Sequence, residues 1–150
     1  MSKAFTSEET PDPGPVIRPA PRLAPGEIRY VTPEGQAELR AILARLRAAR
    51  DPREQQVAET LAVLTVLGPE GAPDGQVAFG TWVTVRDGEG VLHTWRIVGP
   101  DEADPKRGLV SAHAPVGRAL LGASVGDPVI VERPGGRLEL KVVSIGRHSP

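Results

Sequence analysis

The stretch VAFGTWVTVRDGEGVLHTWRIVG, residues 77–99, contains two β-rich runs separated by a turn. Valine, threonine and tryptophan recur in both runs, and these residues favour extended backbone. The turn contains Asp87-Gly88, a dipeptide that strongly favours a hairpin. The stretch therefore predicts two neighbouring antiparallel strands, and the simplest expected role of Trp82 and Trp95 is to pack as a cross-strand pair.

The residues downstream continue this β-rich domain and add one short helix. The further extended runs are GLVSAH at 108–113, PVIVE at 128–132 and LELKVVSI at 138–145. The segment APVGRALLG, residues 114–122, predicts a helix that begins near Pro115 and stops at Gly122. Strands that are half apolar indicate an antiparallel sheet with one buried face, which the helix is expected to cover. Residues 77–150 thus predict a β-sheet domain with one short helix, and the chain as a whole is α+β.

Residues 30–68 have the periodicity of two amphipathic helices. Thr32 is a suitable N-cap, and Pro33 suits the first helical position. Apolar residues then recur at helical spacing in two stripes. The stripes are Leu39, Ile42, Leu43 and Leu46, followed by Val57, Leu61, Leu64 and Leu67. With Gly68-Pro69 as the stop, they predict a short antiparallel helical hairpin of about 16 residues per arm, with a reach of about 25 Å.

Two segments are predicted to lack regular structure. Residues 1–29 are proline-rich and predict a disordered tail, and residues 69–76 predict a turn-rich linker. No apolar run approaches the roughly 20 residues needed to cross a bilayer, so we expect a cytoplasmic protein with no membrane partner. The chain has no cysteine and a formal net charge of −1. Disulfides and thiolate metal sites are therefore excluded, and no general attraction to nucleic acid is expected.

Few motifs carry chemistry. The acidic run DEAD, residues 101–104, predicts a polar loop between strands, because the chain has no phosphate-binding GxxxxGK[ST] loop. The three histidines are far apart and lack the spacing of metal ligands.

The turn DPREQQ, residues 51–56, allows two interpretations. Asp51 as N-cap, Pro52 at the first position and Glu54 at the third would form a capping box at the start of the second helix. Alternatively, Asp51 and Glu54 are two carboxylates at the tip of the hairpin, placed to help hold a metal ion. We favour the capping interpretation, because a cap alone accounts for all three residue types.

The β-rich half resembles the C-terminal domain of the bacterial transcript cleavage factors GreA and GreB. The resemblance rests on an ordered set of motifs rather than on any single one. They are FGTWVTV (79–85), RIVGPDEAD (96–104), APVGRALLG (114–122), VGD (125–127) and PGG (134–136). YVTPEGQAELRAILARLR, residues 30–47, is also similar to the start of the family's first coiled-coil helix.

This resemblance implies an FKBP-like fold for residues 77–150 and a bacterial RNA polymerase as the partner. Family members dock at the rim of the polymerase secondary channel, and their coiled coil brings tip carboxylates to a second magnesium ion in the polymerase active site. The segment expected to dock contains His113, Ala114, Pro115 and Arg118. His113 stands where the family often has the aspartate or asparagine of an Asp-Ser-Pro or Asn-Ser-Pro motif. The helical hairpin of this chain is about half as long as the coiled coil of full-length family members.

Three functional hypotheses follow. The first is a monomeric regulator that occupies the secondary channel, has no cofactor or reaction of its own, and meets nucleic acid only through the transcription complex. The second is an active cleavage factor, in which Asp51 and Glu54 help hold the shared magnesium. The third and weakest, implied by the FKBP-like fold, is a prolyl isomerase whose proline-binding pocket would contain Phe79, Trp82 and Trp95.

Overall fold

The computed structural model describes residues 26–150, so residues 1–25 of the predicted tail lie outside the described residues. In chain order the helices and strands are β1 (Arg29–Val31), α1 (Pro33–Ala48), α2 (Glu54–Val63), β2 (Leu64–Val66), β3 (Trp82–Asp87), β4 (Leu92–Val98), β5 (Leu109–Ser111), α3 (Pro115–Leu120), β6 (Pro128–Arg133) and β7 (Gly136–Gly146). Short 3₁₀ turns occur at Pro69–Gly71 and Pro105–Arg107. The architecture is α+β, and none of the described helices is long and apolar enough to cross a membrane.

A five-stranded sheet with the order β5-β4-β3-β7-β6 forms the larger part of the fold. The hairpin predicted around Asp87-Gly88 is confirmed as the antiparallel pair β3–β4. Strands β6 and β7 form a second antiparallel hairpin, and β7 also pairs antiparallel with β3. The expectation of a purely antiparallel sheet is wrong at one edge, where β5 pairs parallel with β4. The connection 99–108 returns the chain to the end at which β4 begins, as a parallel pair requires.

One face of this sheet carries the main core, and α3 covers it. Val83 and Val85 of β3 are fully buried there, and Leu120 of α3 has 0% exposure in the same cluster. The other buried members are Val77, Ile97, Val129, Val131, Leu140 and Val142. The prediction that the short helix covers the apolar face is therefore confirmed, and its stop is marked by Gly122 at φ 85°.

The two N-terminal helices pack on each other through a small apolar cluster. Leu43 and Leu46 of α1 contact Val57 of α2, and all three side chains are buried. Thr32 caps α1 as expected, since its hydroxyl accepts a hydrogen bond from the N–H of Gly35 at 3.1 Å. The 16 residues of α1 span about 24 Å, whereas the 10 residues of α2 span about 15 Å.

The prediction that the second helix continues to Leu67 is wrong. The helix ends at Val63, and Leu64 has an extended backbone with ψ 142°. Residues 64–66 instead form β2, which pairs parallel with β1 in a two-stranded sheet. The β-branched residues Thr65 and Val66 favour this extended backbone. The apolar spacing of Leu64 and Leu67, from which the helix was predicted, does not distinguish a helix from a short strand.

The expected Trp82–Trp95 pair does not form, because the strand register places the two side chains on opposite faces. Trp82 is directly opposite Arg96, while Trp95 is opposite the buried Val83. The guanidinium of Arg96 lies over the Trp82 ring at 5.7 Å, and Trp95 stacks on His93 at 5.4 Å.

Candidate functional site

The turn between α1 and α2 holds Asp51 in a local network with Arg53. The backbone N–H of Arg53 donates to Asp51 Oδ1 at 2.9 Å, and its guanidinium donates to Oδ2 at 2.7 Å. These contacts lower the pKa of Asp51 from 3.8 to about 2, chiefly through the side-chain hydrogen bond of Arg53. Asp51 is therefore ionised at neutral pH, and both of its carboxylate oxygens already accept hydrogen bonds from Arg53.

The capping box predicted for this turn does not form. The helix begins at Glu54, and its N-cap residue, Arg53, makes no side-chain capping bond. Asp51 instead caps the turn itself, and Arg50 at φ 53° supplies the left-handed residue that reverses the chain. Glu54 lies 3.8 Å from the guanidinium of Arg47 across the helix pair.

The two tip carboxylates therefore share one turn, and each faces an arginine. They provide at most two metal-ligating side chains, and residues 26–150 contain no cluster of three acidic or histidine residues suited to a metal. Any metal site would need ligands from another molecule, which is what the shared-magnesium hypothesis requires.

The predicted docking segment follows β5 and opens α3. His113, Pro115 and Arg118 are exposed, while Ala114 is half-buried and acts as the N-cap residue of α3. The backbone N–H of His113 donates to the hydroxyl of Ser111 at 3.1 Å, which fixes the bend into the helix. The structure thus brings the four predicted docking residues together on one continuous surface segment.

Gly117 allows α3 to lie close to the sheet, a role that was not predicted from the sequence. It is buried, and a Cβ at this position would overlap the carbonyl oxygen of Ser111. The only available signal was a glycine inside a helical pattern, which often marks a close backbone approach.

The imidazole of His113 faces an acidic residue from the start of the described chain. Its Nδ1 lies 3.7 Å from Glu27 Oε1, and both side chains are substantially exposed. The segment preceding β1 therefore passes beside the predicted docking surface.

A second set of polar residues joins β1 and α1 to the five-stranded sheet. Arg29 forms a bidentate ion pair with Asp101, with both N–O distances at 2.6 Å. The two side chains are only 3% and 5% exposed, although 72 residues separate them in the sequence. Such a pair fixes the position of β1 against the loop that follows β4.

Glu102, the next residue of that loop, is buried against the start of α1. Its Oε2 accepts hydrogen bonds from the N–H groups of Thr32 at 2.7 Å and Gly99 at 2.9 Å, and its Oε1 accepts one from the Thr32 hydroxyl. Burial raises the pKa of Glu102 above its ordinary value, and the hydrogen bonds from Thr32 and Gly99 oppose that change. We call Arg29, Thr32, Asp101 and Glu102 the junction.

Two further ion pairs link α1 to the sheet beside the junction. Glu34 accepts from Arg96 at 2.9 Å, and Glu38 accepts from Arg107 at 2.9 Å. The DEAD segment does lie in a loop between β4 and β5, as predicted, and all three of its carboxylates make structural contacts. Asp101 and Glu102 belong to the junction, and Asp104 accepts a hydrogen bond from the N–H of Lys106 at 3.2 Å. The contacts of the junction and the two ion pairs were not predicted from the sequence, because no local pattern connects residues 29–38 with residues 96–107.

The three aromatic residues considered for a proline-binding pocket each contact a different residue. Phe79 packs against Tyr30 with ring centroids 5.8 Å apart, while Trp82 lies under Arg96 and Trp95 stacks on His93. The described residues therefore give no support to a shared aromatic pocket of the kind a prolyl isomerase requires.

Comparison with known proteins adds an independent line of observation. The family model described as "Transcription elongation factor, GreA/GreB, C-term" matches residues 72–147, about half of the chain. This range contains the sheet, α3 and the predicted docking segment.

Individual relatives agree with this match. The chain is 38% identical over 100 residues to the transcription elongation factor GreB of Yersinia pestis, covering 67% of this chain and 58% of that protein. It is 42% identical over 88 residues to GreA of Solidesulfovibrio magneticus, covering 58% and 51% respectively. The chain thus spans between half and three-fifths of the length of these relatives.

The chain also aligns with two solved structures. A prokaryotic GreA/GreB factor from Nitrosomonas europaea is 27% identical, with coverage of 79% of this chain and 98% of that one, and a TM-score of 0.44. The GreA factor homolog 1 of Thermus thermophilus is 23% identical, with coverage of 82% and 100%, and also a TM-score of 0.44.

Proposed function

This chain belongs to the GreA/GreB family of transcription elongation factors, and we propose that it is a regulator that binds bacterial RNA polymerase at the secondary channel. The FKBP-like domain expected of the family, residues 77–150, would make the contact. The protein would act as a monomer in the cytoplasm, and any RNA cleavage would be the polymerase's own reaction.

The observation that carries this proposal is the presentation of the docking segment. His113, Pro115 and Arg118 are exposed, yet they stand on a backbone fixed by Ser111 and by the buried Gly117. A fixed, exposed segment loses little conformational freedom on binding, which favours its use as a contact surface.

The helix pair supports channel occupancy over stimulation of cleavage. The longer helix, α1, extends about 24 Å, about half the reach expected of the family's coiled coil. Asp51 and Glu54 also face Arg53 and Arg47, so a magnesium ion would have to compete with an arginine for each carboxylate. We therefore propose that the chain obstructs the channel and competes with full-length factors.

Docking can be tested by a pull-down of core RNA polymerase with the full chain. We expect the wild type to bind and Arg118→Glu to bind several-fold more weakly, while Lys106→Gln, an exposed cation outside the segment, binds normally. Absence of binding by the wild type would refute the proposal.

His113 differs from the residue common at this position in the family, and testing its role requires a single and a double variant. His113→Asp restores a residue common in the family, but the new carboxylate would face Glu27, which already lies 3.7 Å from the imidazole. The double variant His113→Asp/Glu27→Gln removes that repulsion. Tighter binding by the double variant than by the wild type would support the segment as the docking surface.

A cleavage assay on backtracked polymerase complexes distinguishes occupancy of the secondary channel from stimulation of transcript cleavage. We expect the wild type to inhibit cleavage stimulated by a full-length GreA, and Asp51→Ala to inhibit equally well. Stimulation by the wild type that is lost in Asp51→Ala, but kept in Glu59→Ala on the exposed side of α2, would establish the chain as an active cleavage factor instead.

A further inference from the structure

The face of the five-stranded sheet opposite the main core is only partly covered. We call it the outer face; on β3 it consists of the residues that alternate with Val83 and Val85. The N-terminal half of α1 lies over one end of it, where Glu34 reaches Arg96 beside Trp82. The other end, around Arg86, is exposed.

Two cations lie directly opposite each other at the exposed end. Arg86 of β3 is the cross-strand partner of Lys141 of β7, and both side chains are exposed. Neither forms an ion pair with any residue between 26 and 150. Like charges at directly opposed positions destabilise an antiparallel pair, so the fold retains these two cations at some loss of stability.

The covered end shows how the chain itself satisfies cations beside this face. Glu34 and Glu38, one helical turn apart on α1, pair with Arg96 and Arg107 at 2.9 Å each. A helix with carboxylates at positions i and i+4 can therefore lie against the sheet and neutralise two cations. The exposed end has a comparable pair of cations without such a helix.

We propose that the exposed end of the outer face binds an acidic helical segment of a protein partner. Glutamates or aspartates at i and i+4 lie about 5–6 Å apart, close to the separation of about 5 Å expected for the Cβ atoms of Arg86 and Lys141. Leu92, opposite Arg86, is 54% exposed, and Ile130 on β6 is 48% exposed. They would contact apolar side chains on the flanks of the same helix.

Several features favour a protein helix over nucleic acid. No aromatic side chain lies between Leu92 and Ile130 on the described face, so there is no platform on which bases could stack. Glu139 projects from the same face as Lys141 and would repel a phosphate backbone, whereas Glu132 on this face is paired with Arg137 at 3.6 Å. A helix can place its acidic residues on the two cations and keep its other side chains near these glutamates.

This site goes beyond the proposed function, because it lies on the other side of the sheet from α3. The docking segment opens α3, which covers the core face. A chain bound to polymerase through His113 and Arg118 would therefore still present Arg86 and Lys141. The outer face would let the factor contact a second partner, or a second part of the same assembly, at the same time.

The test uses two synthetic helical peptides and the full chain labelled with ¹⁵N. One peptide is alanine-rich and carries two Glu pairs at i, i+4 with leucines beside them; its match has Gln at every Glu. We expect the Glu peptide to shift amide signals of residues 84–86, 92–94 and 139–141, and the Gln peptide to bind at least fivefold more weakly. No binding of the Glu peptide, or shifts confined elsewhere, would overturn the proposal.

The variant Arg86→Thr/Lys141→Thr should reduce binding of the Glu peptide at least fivefold. The control Arg40→Gln/Lys106→Gln removes two exposed cations elsewhere and should leave binding unchanged. Because the Thr variant relieves a repulsive pair, its Tm should equal or exceed that of the wild type, and a lower Tm would contradict the claimed repulsion.

Two further outcomes would replace the proposed partner. Tighter binding of a single-stranded or duplex oligonucleotide at the same amides would identify a nucleic-acid surface. Concentration-dependent shifts at residues 84–86 and 139–141 without peptide would identify a second copy of this chain as the occupant. Absence of both supports the acidic helix.

Discussion

Replacing Asp101 by alanine should greatly destabilise the attachment of β1 and α1 to the sheet. The carboxylate receives two charge-assisted hydrogen bonds from Arg29 at 2.6 Å, and both side chains are at least 95% buried. Removing one partner leaves a buried guanidinium without its bidentate carboxylate, which costs about 3–5 kcal/mol. For a chain of this size the corresponding fall in Tm is about 10–20 °C.

Urea unfolding and amide hydrogen exchange together measure this effect. The free energy of unfolding gives the total loss, and exchange shows where it occurs. We expect faster exchange in β1, β2 and the first turns of α1, with β3 and β7 less affected, because the lost contact joins the two regions. Arg107→Ala is the matched control: it removes an exposed pair with Glu38 from the same interface and should cost at most about 1 kcal/mol.

The double variant Arg29→Met/Asp101→Leu tests whether the loss comes from the uncompensated charge. An apolar pair of similar volume should recover most of the stability lost in Asp101→Ala, because no charge is then buried. A cost below about 1 kcal/mol for Asp101→Ala would refute the reasoning. It would show that the pair is solvated in solution and does not hold β1 in place.

Three further predictions concern single positions. Arg53→Gln should return the pKa of Asp51 from about 2 toward 3.8 in a carboxyl-detected NMR titration. In the wild type, the stabilisation from the Asp51 carboxylate is present above pH 3.8 and is lost as the pH falls toward 2. An unchanged titration midpoint in the variant would exclude Arg53 as the cause of the lowered pKa. Gly117→Ala should destabilise the domain by about 1–3 kcal/mol in urea, while Gly135→Ala, where a Cβ meets nothing within 4 Å, should have little effect. Because burial raises the pKa of Glu102 above 4.5, its stabilising contribution is complete below that pH and declines as the pH rises through the folded-state pKa. The stability advantage of the wild type over Glu102→Gln should therefore shrink as the pH rises above 4.5, and a growing advantage would contradict the direction of the shift.

Most of the regular structure was predictable because the signals are local. The Asp87-Gly88 turn, the alternation in β3 and the proline and glycine that bound α3 each lie within a few residues of the element they define. The docking segment, by contrast, was predicted from the family resemblance of residues 114–122 and remains a prediction. The structure exposes His113, Pro115 and Arg118 and leaves Ala114 half-buried.

The errors occurred where one local pattern is compatible with two structures. Leu64 and Leu67 continue the apolar spacing of α2, but pairing with β1 makes residues 64–66 a strand. Asp51 and Glu54 have the spacing of a capping box, yet Arg53 takes the Asp51 carboxylate. For residues 64–66 a distant strand selects the structure, whereas for Asp51 the deciding partner is Arg53, only two residues along the chain.

The junction also bears on how the helix pair could act at the polymerase. Thr32 at the start of α1 and Glu102 in the β4–β5 loop are buried against each other, and β5 leads directly into the docking segment. The direction of α1 is therefore tied to the surface proposed to bind polymerase. If the junction sets that direction, Asp101→Ala should weaken competition with a full-length GreA more than it weakens the binding of core polymerase. Equal losses in both measurements would mean that the junction contributes stability alone, and that the helix pair needs no fixed orientation to obstruct the channel.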